Sequence, residues 1–156
     1  MADSPRRVDA KPPAAEPRPF AFAADLPAKR EAIGPVRHDL ERQLHQAGLG
    51  HIADDFALSA QELMANAVVH GCRDSPKGPI TVAVTCDGHR IRLSVEDPSD
   101  AQPHVRDALG EEMGGRGLLI VATFADCWGV RPPSGGAGKT VWMEMACTPP
   151  SGREAA

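Results

Sequence analysis

The 156-residue sequence predicts an α+β domain, a two-layer sandwich with helices on one face of a mixed, mainly antiparallel sheet. Two segments with apolar residues at helical spacing precede two alternating segments joined by Asp87-Gly88, and a further alternating segment closes the folded part. Strands joined by a tight hairpin pair antiparallel, and a sheet with one apolar face needs helices to cover it.

The elements follow in order. Residues 1–19 carry five prolines and too little apolar surface to offset ordering, so they read as a flexible arm; 149–156 read as a flexible tail, which leaves a domain at 20–148. Phe20, Phe22 and Ala24 alternate as a short edge strand does before Pro27. Ile33, Val36, Leu40, Leu44 and Ala47 recur at three- and four-residue steps, one face of an amphipathic helix with Arg37, Glu41 and Arg42 outside and Gly48 and Gly50 ending it. A second helix is expected over 52–70, with Asp54 and Asp55 suiting its positive N-terminal end and Gly71 stopping it.

Ile80, Val82, Val84 and Cys86 then alternate with Thr81, Ala83 and Thr85, and after the Asp87-Gly88 turn Ile91, Leu93 and Val95 continue the pattern. Hydrophobic content drops over 98–114, a loop of a length that usually carries function. Residues 117–125 are apolar and helix-length, 127–130 read as a strand, and 132–138 as a turn-rich connector. Val141, Met143 and Met145 alternate with Thr140, Trp142 and Glu144 in the last strand.

Composition excludes several classes. Against 21 Asp plus Glu stand 17 Lys plus Arg, a formal charge of −4, and no basic block supplies the clustered positive charge that DNA or an anionic membrane surface requires. No apolar stretch approaches the ~20 residues of a bilayer span, and the opening residues are too polar for a secretory signal, so a cytoplasmic location is expected. Cys72, Cys86, Cys127 and Cys147 stand apart without a C-x-x-C pair, which favours small core hydrophobes over a zinc site or disulfide framework.

Four features bear on chemistry. Glu62, Asn66 and His70 are spaced by four, so a helix sets them in one polar stripe. A carboxylate and an amide one turn apart can serve as base and divalent-metal ligand around one phosphate, although a solvated helix face gives the same spacing. Gly114-Gly115-Arg116-Gly117 leads into an apolar helix, where glycines let backbone N–H groups approach an anion and Arg116 offers a charged donor; an ordinary loop reads alike. Gly138-Lys139-Thr140 fails as the end of a P-loop, because Pro133 stands where the first glycine belongs and a strand follows. Asp97 ends a strand that leads into the 98–114 loop, a place where a cap or turn residue is ordinary.

In this order the pieces resemble the bacterial anti-sigma-factor serine/threonine kinases, within the ATPase superfamily of DNA gyrase, heat-shock chaperones, sensor histidine kinases and mismatch-repair proteins. The resemblance covers 20–146 and is most specific at Glu62-Leu63-Met64-Ala65-Asn66-Ala67-Val68-Val69-His70-Gly71. It implies the Bergerat-type ATP-binding fold, with ATP and Mg²⁺ as cofactors. It also implies that Glu62 is the general base, that Asn66 holds Mg²⁺, and that Asp97 accepts a hydrogen bond from the adenine amino group. Gly115, Arg116 and Gly117 would belong to the phosphate-covering segment and Thr140 would be the strand threonine near adenine, while His70 would be structural.

The expected partners are a sigma factor and a small anti-sigma antagonist that receives the phosphoryl group, with a homodimer as a family-level expectation. The first helix and its flanking strand are the expected interface. The superfamily's second motif continues Asp-x-Gly-x-Gly, whereas here Asp97-Pro98-Ser99-Asp100-Ala101 has no glycine. That departure motivates a second reading, a non-catalytic nucleotide-binding or partner-binding module that regulates a sigma factor by sequestration.

Overall fold

The computed structural model describes residues 16–71, 79–97, 115–132 and 138–148. Most of the expected arm, the tail, the 98–114 loop with the residues after Asp97, and Cys72 lie outside the described residues. Strand β1 (Phe20–Leu26) turns Phe20, Phe22 and Ala24 toward the helices and Ala21 and Ala23 outward. A single 3₁₀ turn (Arg30–Ala32) leads into α1 (Ile33–Gln46), which buries Ile33, Leu40 and Leu44.

The end of α1 is fixed by a Schellman motif. Gly48 takes φ 78°, its N–H donates to the carbonyl of His45 at 3.2 Å, and the Leu49 N–H reaches back to Leu44 at 2.9 Å. Leu49 is fully buried, so the chain turns directly into α2 (Gly50–Asn66). Helix α2 buries Phe56, Leu63 and Met64 together with the small Ala53, Ala57 and Ala60, and passes into a π-helical turn (Ala67–Gly71). The helix expected over 52–70 is therefore two structures, with the change at Asn66.

Strands β2 (Ile80–Cys86) and β3 (Arg90–Asp97) form the expected hairpin, in which the Asp87 carboxylate accepts the N–H groups of His89 and Arg90, both at 2.8 Å. Helix α3 (Gly115–Phe124), β4 (Cys127–Arg131) and β5 (Lys139–Ala146) complete the order. The sheet runs β1-β2-β3-β5-β4, and all four pairings are antiparallel, where a mixed, mainly antiparallel sheet was expected. Strands β3 and β4 do run in the same direction, linked across α3, but β5 inserts between them and no parallel neighbours arise.

The core lies between the helices and the inner face, where Ile80, Val82 and Val84, Leu93 and Val95, and Met143 and Met145 meet Leu40, Phe56 and Met64. On the open face the Arg92 guanidinium lies 4.4 Å over the Trp142 ring and donates to Glu144 at 2.9 Å. Arg18, assigned by composition to the arm, donates its N–H to the Ala47 carbonyl at 2.9 Å. Cys86 and Cys147 are buried with their sulfurs 3.5 Å apart, and burial, followed by the hydrogen bond with Cys86, pushes the Cys147 thiol up to about 12. Cys127 is exposed, contrary to the core role expected of it, because it sits on the edge strand β4 and points to the open face. No helix among the described residues is long and apolar enough to cross a membrane.

Leu93 is fully buried on the central strand, opposite Val84 on one side and Met143 on the other. Leu93→Ala should destabilise the domain by about 2–5 kcal/mol through lost burial and a residual cavity, read as a lower denaturant midpoint at unchanged slope.

Candidate active site

The last turns of α2 build the first cluster. Burial of Ala60, Leu63 and Met64 fixes the rotation of the helix, and Glu62 and Asn66, one turn apart, are left on the flank facing α3. Helix α3 is drawn in by Leu118 and Val121, both buried, so Gly117 comes to rest against that flank. A Cβ at Gly117 would stand 2.9 Å from Glu62 Oε2, closer than real Cβ contacts come, and a tight 3.2 Å from Asn66 Nδ2. Any larger residue here would have to push the ends of the Glu62 and Asn66 side chains aside. The first turn of α3 contains Gly115, Arg116 and Gly117, and the opening N–H groups of any helix lack intrahelical partners and favour an anion. The structure brings Glu62, Asn66 and Gly117 together, and places Arg116 one residue and Gly115 two residues before Gly117 in the same helical turn.

Burial raises the Glu62 carboxyl above its ordinary value, and the Arg37 charge on α1 opposes the shift only in part. Arg37 Nε donates to Glu41 at 2.8 Å, and Nη1 donates to the side-chain oxygen of Gln61, the residue before Glu62. The apolar spacing of α1 puts Arg37 outside the buried face. Its position beside the site depends on the packing of α1 on α2, for which the spacing within α1 has no mark.

The α-helical part of the polar stripe ends at Asn66. The π-helical turn that follows packs against β3. That packing carries the Asn66 end of α2 toward the strand that ends in Asp97.

The second cluster is an ion pair. Asp97 closes β3 and Lys139 opens β5 directly opposite it; both are buried, with Nζ 3.5 Å from Oδ1. Thr140 is not the residue beside Asp97. It pairs with Glu96 and Arg131, and the alternation of β5 puts its side chain on the open face with Trp142 and Glu144. Lys139 is not among the residues expected at the site, although its parity with Val141, Met143 and Met145 marks it as inward-facing.

Among the described residues no group of three His, Cys, Asp or Glu side chains gathers at one point. A divalent ion at Asn66 would therefore take one protein oxygen and fill its remaining positions with phosphate and water, the mode in which Mg²⁺ is commonly held. The donor set fits that ion.

Residues 26–145 match the family model described as histidine kinase-like ATPase domain. The chain is 27% identical to the anti-sigma F factor of Anoxybacillus flavithermus over 73 residues, 42% of this chain and 50% of that protein. It is 28% identical to the serine-protein kinase RsbW of Bacillus velezensis over 125 residues, 70% of this chain and 77% of that protein. Among solved structures, the RsbU and RsbW domains of Rv1364c from Mycobacterium tuberculosis share the fold, with a TM-score of 0.60 at 24% identity over 80% of this chain and 32% of that one. The chain thus spans half the length of the anti-sigma F factor and about a third of the mycobacterial structure.

The raised Glu62 carboxyl carries a stability signature. A carboxyl that holds its proton more tightly in the folded state lowers stability as pH rises from the ordinary carboxylate value through the raised folded one. Glu62→Gln should therefore melt higher than the parent at pH 7 and lose that advantage below about pH 4, measured by thermal denaturation at both values.

Proposed function

The chain belongs to the histidine kinase-like ATPase domain family, and from that premise we propose that it is an ATP-binding anti-sigma regulatory protein, a serine/threonine kinase acting on a small anti-sigma antagonist. The observation that carries the reading is the convergence of Glu62 and Asn66 on Gly117 at the first turn of α3. The names of the similar proteins, an anti-sigma F factor and a serine-protein kinase, support the same partners, a sigma factor and its antagonist.

In this reading the phosphates lie over the first turn of α3, where Gly115 and Gly117 admit close backbone approach and Arg116 adds a cation. Asn66 would hold Mg²⁺, which supplies charge neutralisation between phosphate oxygens when bound. Asp97 accepts from the adenine amino group. Glu62 takes the proton of the acceptor hydroxyl as it attacks, and burial suits it to that task because a carboxyl with a higher pKa is the stronger base. Phosphoryl transfer asks little more of a protein than positioning and electrostatic compensation.

A second reading rests on the missing glycines after Asp97: a module that binds nucleotide or partner without transfer and regulates a sigma factor by sequestration. Transfer of label from γ-³²P ATP to a purified antagonist separates the two, since saturable ATP binding with no Mg²⁺-dependent transfer favours sequestration.

Glu62→Ala should lower transfer by at least about 100-fold while leaving ATP affinity largely unchanged, and normal phosphorylation by that variant would refute the assigned base. Gly117→Ala should displace the Glu62 carboxylate and cost about 100-fold in transfer. Gly34→Ala is the matched control, because nothing lies within 4 Å of its added Cβ; it should leave the rate unchanged.

A further inference from the structure

We propose that Lys139 is a base-reading residue, whose ammonium donates to ring nitrogen N1 of an adenine while the exocyclic amino group of the same base donates to Asp97. The proposal rests on the nucleotide-binding reading above and adds to it the group that decides which purine is accepted.

The placement comes from the sheet. Asp97 and Lys139 are register partners on neighbouring strands, their side chains share the helix-covered face, and their charged ends are 3.5 Å apart. The preceding inward residue on β3 is Val95 and the following one on β5 is Val141, so the apolar row gives way to charge at these two positions alone. Taking two charges out of water offsets most of what their attraction returns, and an apolar pair closes such a row at least as well. Sheet stability therefore does not account for the lysine.

Recognition does account for it. A carboxylate has about four acceptor sites and an ammonium three donors, more than one ion pair between them engages. Set side by side, they present an acceptor next to a donor. The adenine edge presents the complement, the N6 amino donor beside the N1 acceptor. Guanine in the same pose sets its O6 against Asp97 and its N1–H against Lys139, acceptor on acceptor and donor on donor. A carboxylate alone senses one of these positions, whereas the pair senses both, and a site that leaves buried polar groups unmatched rejects the wrong ligand strongly.

The test compares ATP with 1-deaza-ATP, in which N1 is replaced by C–H, in calorimetric titrations of the full chain with Mg²⁺. The parent protein should bind 1-deaza-ATP about 10- to 100-fold more weakly than ATP, the range for one hydrogen bond from a charged donor. Lys139→Met, which keeps the length of the stem, should bind the two with equal and reduced affinity. Equal affinity of the parent protein for both nucleotides overturns the role of Lys139 and leaves the nucleotide site standing. No saturable binding of either overturns the nucleotide reading and this proposal with it. Equal affinity of the parent protein for the two nucleotides overturns the proposal even where the variant does not fold, and Lys139→Arg, which keeps the charge, gives a second variant that should retain part of the preference for ATP over 1-deaza-ATP.

Discussion

Among the described residues the helices cover one face of the five-stranded sheet, and strand geometry makes that single fact reach from the core to the site. Side chains alternate, so the rows led by Leu93 and Met143 lie under the helices while Arg92, Trp142 and Glu144 form their own stacked and ion-paired group on the other side. A slip of one residue between β3 and β5 would expose the apolar row and drive Arg92 and Glu144 inward, a cost far above any gain in pairing. The core thereby fixes the register, and the same register sets Asp97 against Lys139. The charged pair needs no device of its own to hold it in place.

The seam between α2 and α3 works by a second constraint, closeness. Leu118 and Val121 pull α3 into the core, and the residue before them must then lie where Glu62 and Asn66 already fill the space. Glycine at 117 lets both demands be met. The same approach strips water from the Glu62 carboxyl and raises its affinity for a proton. Packing and chemistry are thus one event here: apolar burial a residue away creates the environment that turns an ordinary surface carboxylate into a stronger base. Such sites are held at some expense of stability, which natural domains commonly tolerate where function needs it.

How much of this was legible follows from what leaves a periodic mark. Burial along one face does, so the spacing of Ile33, Leu40 and Leu44 and the alternation through 80–86 and 91–95 give α1, β2 and β3 directly. The turn between those strands is equally plain, because Asp87 caps it locally. Contacts between elements leave no such mark. The π-helical turn after Asn66 lies against β3, and nothing in the run from Ala67 to Gly71 shows it. Spacing could not tell the Glu62 and Asn66 stripe from a solvated face either, since the difference is the presence of α3 upon it. Thr140 shows what a motif resemblance leaves open: it fixes a position along the chain and says nothing of side-chain direction, whereas the alternation already visible in Val141, Met143 and Met145 sets Lys139 on the helix-covered face beside Asp97 and Thr140, itself buried, on the opposite face.

Two carboxylates then stand in two environments, and the difference between them is the distribution of cations. Lys139 sits against Asp97, so that carboxylate keeps a matched charge while buried and is suited to accept hydrogen bonds from a ligand. Glu62 has a cation nearby too, but the fork of Arg37 is turned to Glu41 and Gln61, and its attraction does not make up for the lost water. Had Arg37 closed on Glu62 itself, the carboxylate would be stabilised in its charged form and weakened as a base. The neighbouring amide of Gln61 therefore matters to the chemistry of the site: by engaging the guanidinium it helps keep the arginine close enough to anchor α1 to α2, and leaves Glu62 the proton affinity that the proposed transfer requires.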